Sequence, residues 1–275
     1  MKYFTWPYFL PKSCTSNLNL RIMRNTVTNL LLGACFAGMV FGSCAPVYVA
    51  NRLNSPLFDD GGQANFGVGY GEDGVSLNAA VSPVNSLAFI GNYSTLNRDN
   101  QEDTRKFDHT IKELGVGYFN NLPLKGEDEN FFYEGFIGVG FGDSKSEDYE
   151  NGSFHDEISE SEYRQLFIQP SLGYRINQFA LAGSIRMNFV NFNQLKITKD
   201  NATKSYNDLK ANSFAMAGTL YGWFDPVRIG LQAGFTGFGQ REDTDAVIDY
   251  DPLIFNLSVE YTFRGRKEKL GEARQ

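Results

Sequence analysis

The chain has 275 residues, with 28 glycines, 15% aromatic residues, 25 basic against 32 acidic side chains, and a mean hydropathy of −0.33. The acidic balance of −7 leaves no basic footprint and argues against nucleic-acid binding. Beyond residue 44 there is no run of about 20 apolar residues, which argues against a helical membrane span there but not against strands that alternate faces.

The chain begins with an export signal. Arg24 precedes "VTNLLLGACFAGMVFGSC", an apolar run that closes on Gly42, Ser43 and Cys44. Residues 1–22 read as a segment ahead of the true start, with Met23 the compact alternative start, or as a long n-region that carries Trp6. Residues 23–43 read as a lipoprotein-type signal peptide, with Cys44 the lipidated residue in preference to Cys35, because a signal of this kind carries about 7–15 apolar residues. The cysteines are Cys14, Cys35 and Cys44, so cleavage before Cys44 leaves no other thiol and argues against disulfides or a cysteine nucleophile. It also removes Lys2, Lys12, Arg21 and Arg24, leaving 21 basic residues against 32 acidic, a balance of −11. Residues 44–62 are expected to be a periplasmic tether.

Ten strands follow, over 63–70, 75–82, 86–95, 110–120, 131–142, 163–175, 178–190, 212–223, 227–238 and 252–265. Each separates into an oily list and a small or polar list at period two. In the last, Leu253, Phe255, Leu257, Val259, Tyr261 and Phe263 alternate with Ile254, Asn256, Ser258, Glu260, Thr262 and Arg264. Strands of this length match the ~9–11 residues a tilted strand needs to cross a bilayer. The connections "PVN", "IN" and "FDP" are short and alternate with the hydrophilic stretches 96–109, 143–162, 191–211 and 239–251. Sorting of connections by parity belongs to outer-membrane barrels, and lipid forces a sheet to close. The expected fold is therefore all-β: a closed, antiparallel, up-and-down transmembrane β-barrel of about ten strands over 63–265, with 266–275 a periplasmic tail. The oily face meets lipid, and a face of Gly, Ala, Ser and Asn lines a hydrated bore.

The cysteine followed by "APVYVANRLNSPLF" and then glycine-rich alternating strands resembles small outer-membrane β-barrel lipoproteins of the Bacteroidota type. The resemblance implies an acyl anchor on Cys44 in the inner leaflet of the outer membrane, periplasmic termini and external acidic loops. It also implies dealings with the barrel-assembly and lipoprotein-sorting machinery. The terminal "VEYTF" resembles a closing strand, followed here by the extra tail "RGRKEKLGEARQ".

Within the bore the alternation places Glu113, Glu134, Glu260, Arg164, Arg186, Arg228 and Arg264. Confined charges of opposite sign should pair, giving a network that plugs the barrel; a charged constriction for small solutes is the alternative. "GVGY" at 67–70 and 115–118 and "GVGFG" at 138–142 lack the helix and Lys-Ser/Thr ending of a phosphate loop and read as inner-face glycines. The acidic stretches around Asp143–Glu162 and Asp243–Asp251 lack ordered calcium-loop spacing and read as solvated loops. Only His109 and His155 are available for acid–base work, and Asp108 beside His109 points to the opposite face. No catalysis, cofactor or metal is expected. A structural, surface-interaction or binding role leads, followed by a narrow pore and then a soluble lipid-binding barrel held by its anchor. A hydrolase comes last.

Overall fold

The computed structural model describes residues 46–99, 105–123, 129–148, 157–199, 202–239, 248 and 250–264. The strands are β1 (Gln63–Gly71), β2 (Gly74–Val84), β3 (Leu87–Asp99), β4 (Arg105–Pro123), β5 (Glu129–Asp148), β6 (Glu157–Ile176), β7 (Phe179–Lys199), β8 (Ala202–Phe224), β9 (Val227–Gly239) and β10 (Leu253–Arg264). Each is antiparallel to its sequence neighbours. β1 pairs with β10 from Gln63↔Arg264 to Gly71↔Asn256, so the sheet closes into a ten-stranded barrel. Closure gives every strand a partner on both sides, although β8 rises past β9 at Ala202–Ala211 and β3 rises past β2 at Leu96–Asp99.

Alternation decides which way each side chain faces. Along β6, buried and exposed residues strictly alternate from Ser159 to Gly173. Leu231, Phe235, Leu257 and Phe263 lie outside, 43–52% exposed. The apolar band on the outer wall spans Leu114–Leu122 on β4 and Leu166–Tyr174 on β6.

Two expectations are corrected. First, the inner face is not uniformly small: Phe132, Phe136, Tyr163, Phe167 and Tyr221 point inward and are fully buried. Inner glycines make room for them. A Cβ on Gly138 would lie 2.4 Å from the ring of Phe167, so this position needs glycine for close approach rather than for backbone freedom. Second, β4 to β8 are 19–23 residues long. Much of 96–109, 143–162 and 191–211 is strand rather than loop. Polar residues take over the outer face there (Asp143, Lys145 and Glu147 on β5) while pairing continues, for example Lys145↔Glu160. A reading by apolar alternation stops where the apolar band stops, although the hydrogen-bond ladder does not. The wall is therefore tall over β4–β8 and low elsewhere. Two-residue turns at 85–86, 177–178 and 225–226 mark the opposite, short-turn end.

Candidate functional site

The bore is filled by the chain itself. Residues 47–58, expected to be part of a tether, are all buried. They run through the lumen from the long-strand end to the short-turn end, where Gly62 hydrogen-bonds to Ser82 and leads into β1. The physical reason is legible in hindsight. Val47, Tyr48, Val49, Leu53, Leu57 and Phe58 are apolar, and burying a Leu or Phe is worth about 1.5–3 kcal/mol each.

A segment that pairs with no strand must still satisfy its peptide groups. Inward side chains of the wall do this. At the long-strand end, Ser144 and Ser161 donate to the Val47 carbonyl at 2.7 and 3.2 Å. Asp251 N–H donates to the Tyr48 carbonyl at 3.1 Å, and the Tyr48 hydroxyl donates to Gln165 Oε1 at 3.1 Å. In the middle, Gln232 brackets the Leu53 peptide, and Gln169 Nε2 donates to the Asn54 carbonyl at 2.7 Å. Lower down, the Tyr221 hydroxyl donates to the Ser55 carbonyl at 3.1 Å. Arg228 Nη1 donates to the Pro56 carbonyl at 2.6 Å, and Leu57 N–H donates to Glu134 Oε1 at 2.7 Å. Phe58 packs among Ala88, Ile90, Phe119, Phe136 and Phe167. Asp59 closes the short-turn end with paired bonds from Arg175 at 2.7 and 3.1 Å.

The buried charges form two clusters. Arg186 Nη1 reaches both oxygens of Glu113 at 2.8 and 3.0 Å, and its guanidinium lies 4.5 Å from the Phe167 ring centroid. Asn92, Gln165 and the segment's own Asn51 complete the shell of Glu113. In the second cluster Glu260 pairs with Arg228 of β9 and with Arg52 of the segment. Buried on the wall are three glutamates, Glu113, Glu134 and Glu260, and two arginines, Arg186 and Arg228, while inward Arg175 at the short-turn end is taken by Asp59. Arg52 supplies the third cation.

Two charges assigned to the bore from sequence are elsewhere. Arg164 is on the exposed outer face of β6, in the same alternation as Leu166 and Ile168. Its own parity placed it there. Arg264 is exposed at the short-turn end, 3.9 Å from Asp225 and 4.0 Å from Asp59. Glu113, Glu134, Arg186, Arg228 and Glu260 are inside as expected. Cys44, Cys35 and Cys14 lie outside the described residues, as does His155.

Asp108 and His109 face opposite sides of the wall: Asp108 is exposed, and His109 is buried with Nε2 3.0 Å from the Tyr163 hydroxyl. Sequence reading missed Asp73 in the β1–β2 turn, which accepts from Arg52 N–H at 3.4 Å and Asn256 Nδ2 at 3.2 Å. Burial raises its carboxyl to about 6. No group of three or more metal-ligating side chains occurs among the described residues.

No protein-family model matches the chain, and neither does any curated protein. Among solved structures it is similar to the translocator domain of the autotransporter NalP from Neisseria meningitidis, at 11% identity over 86% of this chain and 95% of that one, with a TM-score of 0.35. It is also similar to OmpT, an outer membrane protein of Vibrio cholerae. The in-vitro folded form matches at 10% identity over 74% of this chain and 98% of that one, with a TM-score of 0.24; the outer-membrane expressed form matches at 9% over 78% and 100%, with 0.20.

Proposed function

We infer that this chain is an outer-membrane barrel, anchored through Cys44, whose bore is closed by its own segment 46–62 and whose role is structural or surface-binding rather than catalytic. One observation carries the reading: an apolar outer wall encloses a lumen that the protein fills with its own backbone. The outer wall shows Phe66, Leu77, Phe89, Leu114, Ile137 and Leu181, each at least 43% exposed, as part of a continuous girdle. A soluble surface rarely carries a contiguous apolar patch above a few hundred Å². This favours lipid contact over a soluble barrel held by its anchor alone. The hydrogen-bonded segment favours a closed bore over a solute pore. The opposed faces of Asp108 and His109 weigh against a rim hydrolase.

The direction of the segment bears on the anchor. Pro46 lies at the long-strand end, and two residues span at most about 7 Å of chain. An acyl group on Cys44 would reach the leaflet at that end. In an outer membrane the long-strand end faces outward, so this reading puts the anchor in the outer leaflet, where the sequence alone suggested the inner one.

The test is single-channel recording of the full-length chain in planar bilayers, with fatty-acid labelling in cells. A closed trace is expected; steady openings would favour the pore. Label is expected to be lost in Cys44→Ser and kept in Cys35→Ser. The reverse would move the anchor, and no label in either chain would remove it.

A further inference from the structure

The outer wall of the tall side carries a feature the plug does not explain. One lateral row of the sheet runs Tyr93, Lys112, Phe141, Arg164, Asn191, Lys210 across β3 to β8. Lys112, Arg164 and Lys210 are exposed, and none has an ion-pair partner among the described residues. Each is two strands from the next, about 10 Å at the usual strand spacing. Phe141 between the first two is 60% exposed.

The height of this row is defined by its neighbours. The next outward residue toward the short-turn end is Leu114 below Lys112 and Leu166 below Arg164; below Lys210 come Asn212 and then Phe214. On the other side the next outward residues are Asp143 on β5 and Glu162 on β6, paired across the strands, and exposed Asp208 above Lys210 on β8. The cations therefore stand at the upper edge of the apolar band, with acids immediately above. Long cationic side chains at that level reach into the headgroup layer. The acids would repel an anion sitting higher, which fixes the level at which an anion is held. A shallow groove of about 730 Å³ starts at Lys112 and Leu114 and runs along the outer wall past Tyr93, Leu77 and Val68 to Val259. It descends into the apolar band, because Val259 lies three outward positions inside the end of β10.

We propose that this row is a binding surface for a multiply phosphorylated lipid headgroup of the outer leaflet, with Lys112, Arg164 and Lys210 holding the phosphates and the groove beside Lys112 taking an acyl chain. Arginine and lysine supply the donors that phosphate oxygens require, and Phe141 packs between them at the interface. Phosphates carried on one headgroup would meet a pair of these cations about 10 Å apart. The proposal rests on the membrane-spanning reading above.

The test uses the full-length chain folded in micelles and native mass spectrometry. The probes are a bis-phosphorylated glucosamine-disaccharide lipid, its dephosphorylated form, and inorganic phosphate as competitor. Migration of unheated samples on gels reports folding separately, and flotation with vesicles reports insertion, so failure of the membrane reading is seen by itself. One retained phosphorylated lipid is expected, preferred at least about ten-fold over the dephosphorylated form, since an interfacial cation is worth about five-fold against an anionic lipid. The preference should vanish in Lys112→Gln/Arg164→Gln/Lys210→Gln and persist in Lys112→Arg/Arg164→Lys/Lys210→Arg. If the triple neutral variant does not fold, Arg164→Gln alone should lower the preference about five-fold. Equal retention of both lipids, an unchanged preference in the neutral variant, or displacement by millimolar inorganic phosphate would overturn the proposal.

Discussion

The side-chain amide of Gln232 on β9 grips the backbone of Leu53 by two hydrogen bonds, accepting from its N–H at 3.1 Å and donating to its carbonyl at 2.9 Å. A wall side chain thus does for the lumenal segment what a neighbouring strand does within a sheet. Replacing Gln232 with Leu keeps the bulk and removes both bonds. Each buried peptide group left unpaired costs about 1–3 kcal/mol. We expect Gln232→Leu to lose about 2–6 kcal/mol in urea unfolding and to show intermittent openings in bilayers. An unchanged midpoint would mean the segment does not depend on this contact.

Glu260 is shared by Arg52 and Arg228, which packs over the Tyr221 ring at 4.3 Å. Glu260→Gln removes the carboxylate that both buried guanidiniums bond, and breaking a buried pair costs about 3–5 kcal/mol. Adding Arg52→Met to Glu260→Gln should cost less than the sum of the two single changes, because the second removes a charge the first stranded. Additivity in a double-mutant cycle would contradict the coupling.

Asp73 makes stability depend on pH. Its folded carboxyl titrates at about 6, against about 3.9 in an unfolded chain, because burial disfavours the charged form. Between those values the folded state holds a proton the unfolded state has lost, so stability falls as pH rises from about 4 to about 6 and stays lowered above that. The size is at most about 3 kcal/mol. Asp73→Asn removes the titration. Its stability relative to the parent should rise across that window and level off above it; a flat difference from pH 4 to pH 7 would refute the assignment.

Gly173 on β6 sits against the lumenal segment: a Cβ there would lie 2.6 Å from Leu57 Cδ2. Gly173→Val should push the segment aside, cost about 1–3 kcal/mol and raise protease cleavage within 46–62. A Cβ on Gly183 of β7 would meet no atom within 4 Å, so Gly183→Val should leave cleavage unchanged. Equal cleavage in both would argue that Leu57 does not contact this wall.

The barrel was legible because its outer face obeys one rule, period-two alternation of apolar residues, repeated ten times. β10 reads from Leu253 to Phe263 as it stands in the wall. The tall wall was not legible, since Asp143, Lys145 and Glu147 alternate with Gly142, Ser144 and Ser146 without an apolar signal. The charge network was half legible. Period two put Glu113, Arg186, Arg228 and Glu260 inside, and the same rule, applied strictly, puts Arg164 outside with Leu166. The lumenal segment has no periodicity, because its partners are side chains rather than a ladder. One clue to it lay in composition: six large apolar residues between Val47 and Phe58, which a solvated tether has no use for.

The most direct measurement of the central claim, that 47–58 occupies the bore, exploits Ser55 of the segment and Ser184 of β7, whose hydroxyl oxygens are 2.6 Å apart. In refolded full-length chain with Cys14, Cys35 and Cys44 changed to Ser, Ser55→Cys/Ser184→Cys should form an internal disulfide on mild oxidation, seen as a faster-migrating band that reducing agent abolishes. If both thiols instead stay free and react with a water-soluble maleimide as fast as in unfolded chain, the segment lies outside the barrel and the account fails.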